Sequence, residues 1–494
     1  MPPISAAFVV KTMIIFSIQQ LLQFDRFSRM IRQMFFSPEF GVHFQKERLF
    51  SMKKQLGQDP IYDARELGVP RMLLLGLQHL FAMFGATILV PILVQGYGLP
   101  LSIQTTLLCA GVGTLLFHVC TKFKIPAFLG SSFAFLGGFQ TMAQMESGIY
   151  AGMDPNEKLA YTLGGIVVAG VMYLLLALLF KVVGARKVMR FFPPVVTGPM
   201  IILIGLNLSG SAVSNASTCW WLALLAMAVI IIANIWGKGM IKVIPILLGV
   251  VIPYIVALCC GMVDFTEAVE ADWAGVAPFV LAKFDITAIL VMAPIAIASM
   301  MEHIGDVSAI SATADRNFIE DPGLHRTLLG DGVATAFAGL VGGPANTTYG
   351  ENTGVLALTK VYDPNVVRLA AVFAIILSFS PKFDALVGSI PTAIIGGVSF
   401  ILYGMISAVG VRNVVENHVD FTQTRNLIVA AVILVCGLGF TSGISFTVGD
   451  ATITLTSLAI AAIAGVGLNA ILPGNDYVFG SDSHGDGAAN LGTY

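Results

Sequence analysis

Two glutamates interrupt sequence that is otherwise almost free of charge. Glu302 closes the apolar run Ala288–Met301, and Glu351 follows Gly350 in a stretch of small and polar residues. An ionised carboxylate accepts hydrogen bonds and donates none. Two of them suit a flat solute that presents two N–H donors. Ionisable side chains inside apolar segments are costly and mark functional positions. The competing reading for both is a structural ion pair, and for Glu351 also a helix cap. Asp306 stands four residues after Glu302, on the same helix face. Either it reaches water at the end of its segment, or it pairs with Glu302 and the two hold one proton between them. His79 and His303 are further proton-relay candidates, because histidine titrates near neutral pH. A neutral histidine buried in a helix contact is the alternative for each.

These groups need a scaffold, and composition says which kind. Of 494 residues, 56% are hydrophobic and 11% charged, against about 25% charged in soluble domains. Leu73–Leu93, Leu222–Ile235 and Leu427–Phe440 carry no Asp, Glu, Lys or Arg. About 20 such residues cross a hydrocarbon core of ~30 Å. Hydropathy and breakers predict fourteen segments, centred near residues 82, 111, 133, 170, 201, 227, 250, 293, 335, 352, 373, 400, 432 and 461. Loops after even-numbered segments hold fourteen Lys and Arg; those after odd-numbered ones hold Lys158, Lys283 and Lys382. Basic loops stay cytoplasmic, so both termini are expected there, in a multi-pass membrane protein.

The halves echo each other. Segment three opens Pro126-Ala127-Phe128-Leu129-Gly130-Ser131-Ser132-Phe133, and segment ten opens Pro344-Ala345-Asn346-Thr347-Thr348-Tyr349-Gly350-Glu351. Gln78-His79 precedes the first by 48 residues, and Glu302-His303 precedes the second by 42. Seven spans per repeat is odd, so the second copy enters from the opposite side. Inverted repeats place the substrate near the midplane, between discontinuous helices. Two short antiparallel strands in segments three and ten would pair their own backbone there. The half-helices that follow would offer free N–H groups to carbonyl oxygens. The N–H groups near Phe133 and Gly350 are the candidates, with Phe133 against a flat ring and Ser132 beside it. Asn346, Thr347 and Thr348 read as partners of the strand backbone, with the solute as the alternative.

Soluble-enzyme signatures are missing: no Walker A sequence, no GxGxxG in a nucleotide-binding unit, no HExxH. The net charge of -2 favours neither nucleic acid nor an acidic surface as partner. Six cysteines without metal-ligand spacing read as small core residues, and no metal or cofactor is expected. His118 reads as a membrane-edge residue. Residues 1–52 read as an upstream extension, with translation expected to begin near Met52; an interfacial helix or a signal segment are the alternatives. The Gly-rich tail 474–494 reads as disordered.

At these residues the chain resembles the nucleobase–ascorbate transporter family, and its bacterial uracil permease branch most closely. The resemblance spans residues 70–472. It rests on Glu351-Asn352-Thr353-Gly354, then four residues, then Thr359-Lys360, together with Gln78-His79, Gly130–Phe135 and Pro344–Gly350. It implies an all-α membrane protein of fourteen segments in two inverted repeats of seven, with short antiparallel strands in segments three and ten. A core domain would comprise residues 70–182 and 284–382, and a gate domain residues 183–265 and 387–473. Glu302 and Glu351 would bind the base, helped by backbone at Phe133 and Gly350. A proton would be the coupling ion, and a homodimer is implied. Some uracil permeases carry His four residues after the segment-eight Glu; here Asp306 stands there, which leaves the proton route open.

The expected function is nucleobase import, most directly uracil, by proton symport through alternating access. Xanthine or urate is the alternative substrate class, and an anion exchanger of related architecture a further one.

Overall fold

The computed structural model describes residues 59–448 and 451–474. The expected extension 1–52 and the expected tail beyond residue 474 lie outside the described residues.

The described chain is mainly helical. Its first half contains α1 (Val69–Gly96), α2 (Ile103–Cys120), β1 (Leu129–Ser131), α3 (Leu136–Ala143), α4 (Pro155–Val183), α5 (Pro194–Asn207), α6 (Ser209–Ser217), α7 (Trp220–Ile235) and α8 (Pro245–Cys259). Then follow α9 (Ile286–Met292), α10 (Ile295–Ala314), α11 (Leu324–Val341), β2 (Asn346–Thr348), α12 (Gly350–Thr359), α13 (Pro364–Leu377), α14 (Pro381–Gly388), α15 (Thr392–Glu416), α16 (Thr424–Gly439) and α17 (Ser457–Ile471). Local chemistry starts many of them. Ser102, Asp154, Asp285, Asp363 and Thr456 each accept a hydrogen bond from a backbone N–H two or three residues on, the ordinary N-cap. Pro155 and Pro364 sit in first turns, where their missing N–H costs nothing.

Six of these helical stretches are long and apolar enough to cross a bilayer. The pair α13–α14, bent by 89°, is a seventh apolar stretch, either a broken span or a re-entrant loop. The apolar helices α7, α8, α16 and α17 are shorter, at 15 or 16 residues.

β1 and β2 form an antiparallel pair, Leu129 opposite Thr348, Gly130 opposite Thr347 and Ser131 opposite Asn346. Ser132 N–H donates to Ala345 O at 2.8 Å and Tyr349 N–H to Phe128 O at 3.0 Å. The outer edges of so short a sheet need partners too, since orphan backbone groups in lipid are costly. One threonine serves each edge. Thr114 Oγ1 of α2 accepts from Leu129 N–H at 2.9 Å, and its one proton is shared between Ala110 O at 2.8 Å and Leu129 O at 3.2 Å. Thr335 Oγ1 of α11 accepts from Asn346 N–H at 3.2 Å and donates to Asn346 O at 3.0 Å. The Asn346 side-chain amide donates to Cys109 O of α2 at 3.1 Å, so it serves helix backbone and not the strand backbone expected of it.

Around the strands, α11 packs on α2 and α4, and α13 on α1 and α2. On the other side α15 packs on α5, α6 and α7, and α16 on α5 and α17. α10 touches both sets through α4 and α5. The α4–α11 contact is close because Gly332 faces Gly170: a Cβ on Gly332 would lie 2.9 Å from Gly170 O.

Three further expectations need correction. A second hairpin, β3 (Ile444–Val448) with β4 (Ala451–Leu455), joins α16 to α17, so the fold is not helical outside the central strands. Its apolar–polar alternation through Ile444, Ser445, Phe446 and Thr447 is a strand signal that a search for long apolar runs passes over. His118 is fully buried, its Nε2 3.1 Å from Ala127 O; it ties the end of α2 to the approach into β1 instead of facing the membrane edge. Cys259 and Cys260 are exposed at the end of α8, and of the six free cysteines Cys109 alone is buried.

Candidate functional site

The strand pair aims two half-helices at one place. After β1 the chain makes a single 3-10 turn, Phe133–Phe135, and enters α3; after β2 it enters α12 directly at Gly350. Neither start carries a side-chain cap, at Ser132 or at Tyr349. The first N–H groups of each half-helix are therefore available to a ligand, with the positive end of the helix dipole behind them. Gly130 makes the crossing possible. A Cβ there would sit 2.3 Å from the Tyr349 ring. That ring lies across the strand with its Oη donating to Ser131 O at 2.9 Å.

A cavity of about 330 Å³ opens beside the crossing. Its polar lining comes from α10 (Glu302 and Asp306), from the second crossing segment (Thr347, Thr348, Gly350 and Glu351) and from Asn234 and Lys242. Phe133, Ile201, Ile246, Met405 and Val409 supply apolar wall. Asp306 is buried at 7% exposure, and its Oδ2 accepts from Thr348 Oγ1 at 2.9 Å. It does not reach open water at the end of its segment, because α10 continues two turns further to Ala314. Glu302 Oε2 is buried and has no hydrogen-bond partner in the protein. An unpartnered buried carboxylate oxygen facing a cavity needs a donor. A heterocyclic N–H would supply one, and so would a proton on the carboxylate itself.

A second, larger cavity of about 1050 Å³ is lined by polar residues including Gln140, Gln144, Asn207 and Ser211. Phe133 lines both cavities. Its ring meets Tyr403 of α15 edge-to-face, with centroids 5.8 Å apart.

The other sequence-derived candidates lie behind this site. Ser132 is fully buried, its Oγ 3.2 Å from Ser299 Oγ. His79 Nδ1 is 3.1 Å from the Asn352 amide, which also donates to His79 O at 3.1 Å. His303 Nδ1 lies 2.9 Å from Asp331 Oδ2, both side chains being fully buried. Neither histidine lines the cavity, so matched places in the repeat lead to different partners. Asp331 is the residue that sequence reading passed over, although it carried a signal, a lone acid between Gly330 and Gly332 in an apolar segment. Thr348, expected to serve the strand backbone, gives its hydroxyl to Asp306 instead, a tertiary contact that no local pattern specifies. Among the described residues, no three His, Cys, Asp or Glu are grouped to hold a metal ion.

Comparison with known proteins identifies the family: the permease family matches residues 70–446. The uracil permease of Bacillus caldolyticus is 43% identical over 431 residues, covering 84% of this chain and 95% of that one. The uracil permease of Escherichia coli K12 is 36% identical over 408 residues, covering 80% and 90%. Among solved structures, the transmembrane domain of a cyanobacterium bicarbonate transporter, BicA, is similar with a TM-score of 0.54 at 13% identity, covering 83% of this chain and 99% of that one. The murine anion transporter Slc26a9 gives 0.55 at 11% identity, covering 82% and 68%. At such identities these two structures speak for the fold alone. Sequence match and apolar helices together show that the chain belongs to the permease family, the nucleobase–ascorbate transporters, and is an integral membrane transport protein, not an enzyme.

Proposed function

We propose that this protein imports a nucleobase, uracil in the first instance, by proton symport through alternating access. One observation carries the reading: Glu302 and Glu351, from two different segments, line the same cavity together with Gly350 and Phe133. Uracil has two ring N–H donors and two carbonyl acceptors. The carboxylates accept from the N–H groups, the free backbone N–H groups near Phe133 and Gly350 donate to the carbonyls, and the Phe133 ring covers the flat face. Ser132 supports the turn that presents Phe133. Relatives named uracil permease support the substrate class.

Three carboxylates in one small cavity do not all stay ionised beside an uncharged base. Glu302 and Asp306 therefore take up the coupling proton, with Asp306 held by Thr348. His303 and His79 act from behind, through Asp331 and Asn352. The chain crosses the membrane fourteen times as two inverted repeats, with both ends cytoplasmic. A core of residues 70–182 and 284–382 moves against a gate of residues 183–265 and 387–473. Phe133 and Tyr403 stand between the two cavities along that path.

An anion substrate fits the lining less well. Glu302, Asp306 and Glu351 face a single cation, Lys242, and an anion would meet net repulsion. The deciding measurement is uptake into proteoliposomes with uracil, xanthine, urate and sulfate in competition. Uracil is expected to displace labelled uracil, and collapse of the proton gradient to abolish accumulation. Accumulation that instead follows a sodium gradient, or that sulfate blocks, overturns the reading.

A further inference from the structure

The segment before α1 is tied to the far ends of the two helices that carry the carboxylates. Ile61 N–H donates to Lys360 O at 2.8 Å, and Tyr362 N–H donates to Ile61 O at 2.7 Å, a one-residue parallel bridge between Ile61 and Val361. Lys360 caps the end of α12. Ala64 N–H donates to the buried Asp363 carboxylate at 2.7 Å. One residue along, Tyr62 reaches the other helix: its Oη donates to Ala314 O, the last residue of α10, at 3.0 Å. The Arg316 guanidinium covers the Tyr62 ring at 4.1 Å, and the Tyr362 ring lies 5.4 Å away. Beneath, Ile61, Ala64, Met72, Leu75, Val361 and Leu369 form a small apolar core of their own.

We propose that Ile61–Ala64 is a clasp that sets the position of α10 against α12, and through it the spacing of Glu302 and Glu351 around a ligand. The inference rests on the reading of those carboxylates as the ligand-binding pair. Both helices run unbroken from carboxylate to clasp. At 1.5 Å per residue, Ala314 lies about 18 Å beyond Glu302, and Lys360 about 14 Å beyond Glu351. Near the ligand the two segments are joined by the Thr348–Asp306 hydrogen bond, and α10 packs on α12 directly. Side-chain packing alone still lets two helices slide and splay; a hydrogen-bonded tie at two points does not. The clasp supplies the second point, and it does so from a segment that touches no ligand. Tyr62 is thus a positioning residue.

The test uses the full chain in nanodiscs, with nitroxides at Asp315→Cys and Ala357→Cys in a background whose native cysteines outside the core are serine. Uracil binding and the inter-label distance distribution are measured for the parent, Tyr62→Ala and Tyr62→Phe. Tyr62→Ala is expected to broaden the distribution and weaken binding about fivefold, as loss of one hydrogen bond with its ring packing implies. Tyr62→Phe, which keeps the ring and its cation contact, should fall between and remains informative if the alanine variant does not fold. A lower melting temperature with unchanged distribution and unchanged binding overturns the clasp, because a merely structural role predicts that result. Glu351→Gln is run in parallel. If it binds uracil normally, the binding-site reading fails, and broadening in Tyr62→Ala alone still upholds the clasp. If it loses binding while Tyr62→Ala broadens without losing affinity, the clasp as a positioning device is overturned.

Discussion

The first and second crossing segments are built by one device and put to different uses. In each, three strand residues pair across the centre, and one threonine from a neighbouring helix holds the N–H and C=O of the first residue of the strand. Beyond the strand the halves part. The first gives Phe133-Ala134-Phe135, apolar and wound as a 3-10 turn, whereas the second gives Gly350-Glu351 at the start of an α-helix. The backbone problem is common to both, because no water reaches strand edges at that depth. The chemistry is not common: one half supplies a flat apolar surface, the other a carboxylate. The frame is shared, and the residues after the strand make the cavity lining asymmetric.

That contrast can be broken at several points. The largest effect is expected from Glu351→Gln, which replaces the charged acceptor of the second half by a neutral amide that keeps one carbonyl oxygen and adds a donor. Hydrogen bonds to charged groups are worth about 1.5–3 kcal/mol, so uracil affinity should fall roughly ten- to hundredfold while the protein still inserts and folds. Calorimetry or scintillation binding checks it; parent-like affinity removes Glu351 from the site. Next comes Gly130→Ala. The added methyl meets the Tyr349 ring, and overpacking of this kind costs about 1–3 kcal/mol. Thermal stability and uptake should drop together, and Tyr349→Leu in the same chain should restore part of the stability.

Smaller but sharper is the pair Thr114→Val and Thr335→Val. Each removes one hydroxyl and orphans a buried N–H and C=O, at about 1–3 kcal/mol. Equal losses of stability in the two variants would uphold the shared device, and a loss confined to one would show that the halves are not held alike. Smallest is Phe133→Leu, which keeps apolar bulk and loses ring stacking worth about 0.5–1.5 kcal/mol. Uracil affinity should fall a few-fold with uptake retained. Under the same reading Phe133→Leu should also loosen the barrier between the two cavities, measured as faster uracil leak down its gradient.

Much of the central site is legible in the residues themselves. Pro-Ala at matched offsets and an acid after Gly350 announce a broken span, because hydropathy, glycine and charge are local properties of the chain. The helix starts at Ser102, Asp154 and Asp363 are equally local. His79 and His303 show where such reasoning stops. Their places in the repeat match, yet one faces Asn352 and the other Asp331, since partners are chosen by which helices pack together. The β3–β4 hairpin was hidden for another reason: a short alternating pattern is weak beside long apolar runs.

The sequence by itself determined that this is a membrane transport protein with two related halves and acids at depth, because lipid permits few backbone solutions and charges buried in it must have a use. Only the tertiary structure decided that Asp306 joins Glu302 and Glu351 in one cavity, that Thr348 holds it, and that Tyr62 spans the ends of α10 and α12. Those contacts link residues 42 to 252 positions apart, and no local pattern specifies them; they follow from how rigid helices settle against one another once the strands have crossed.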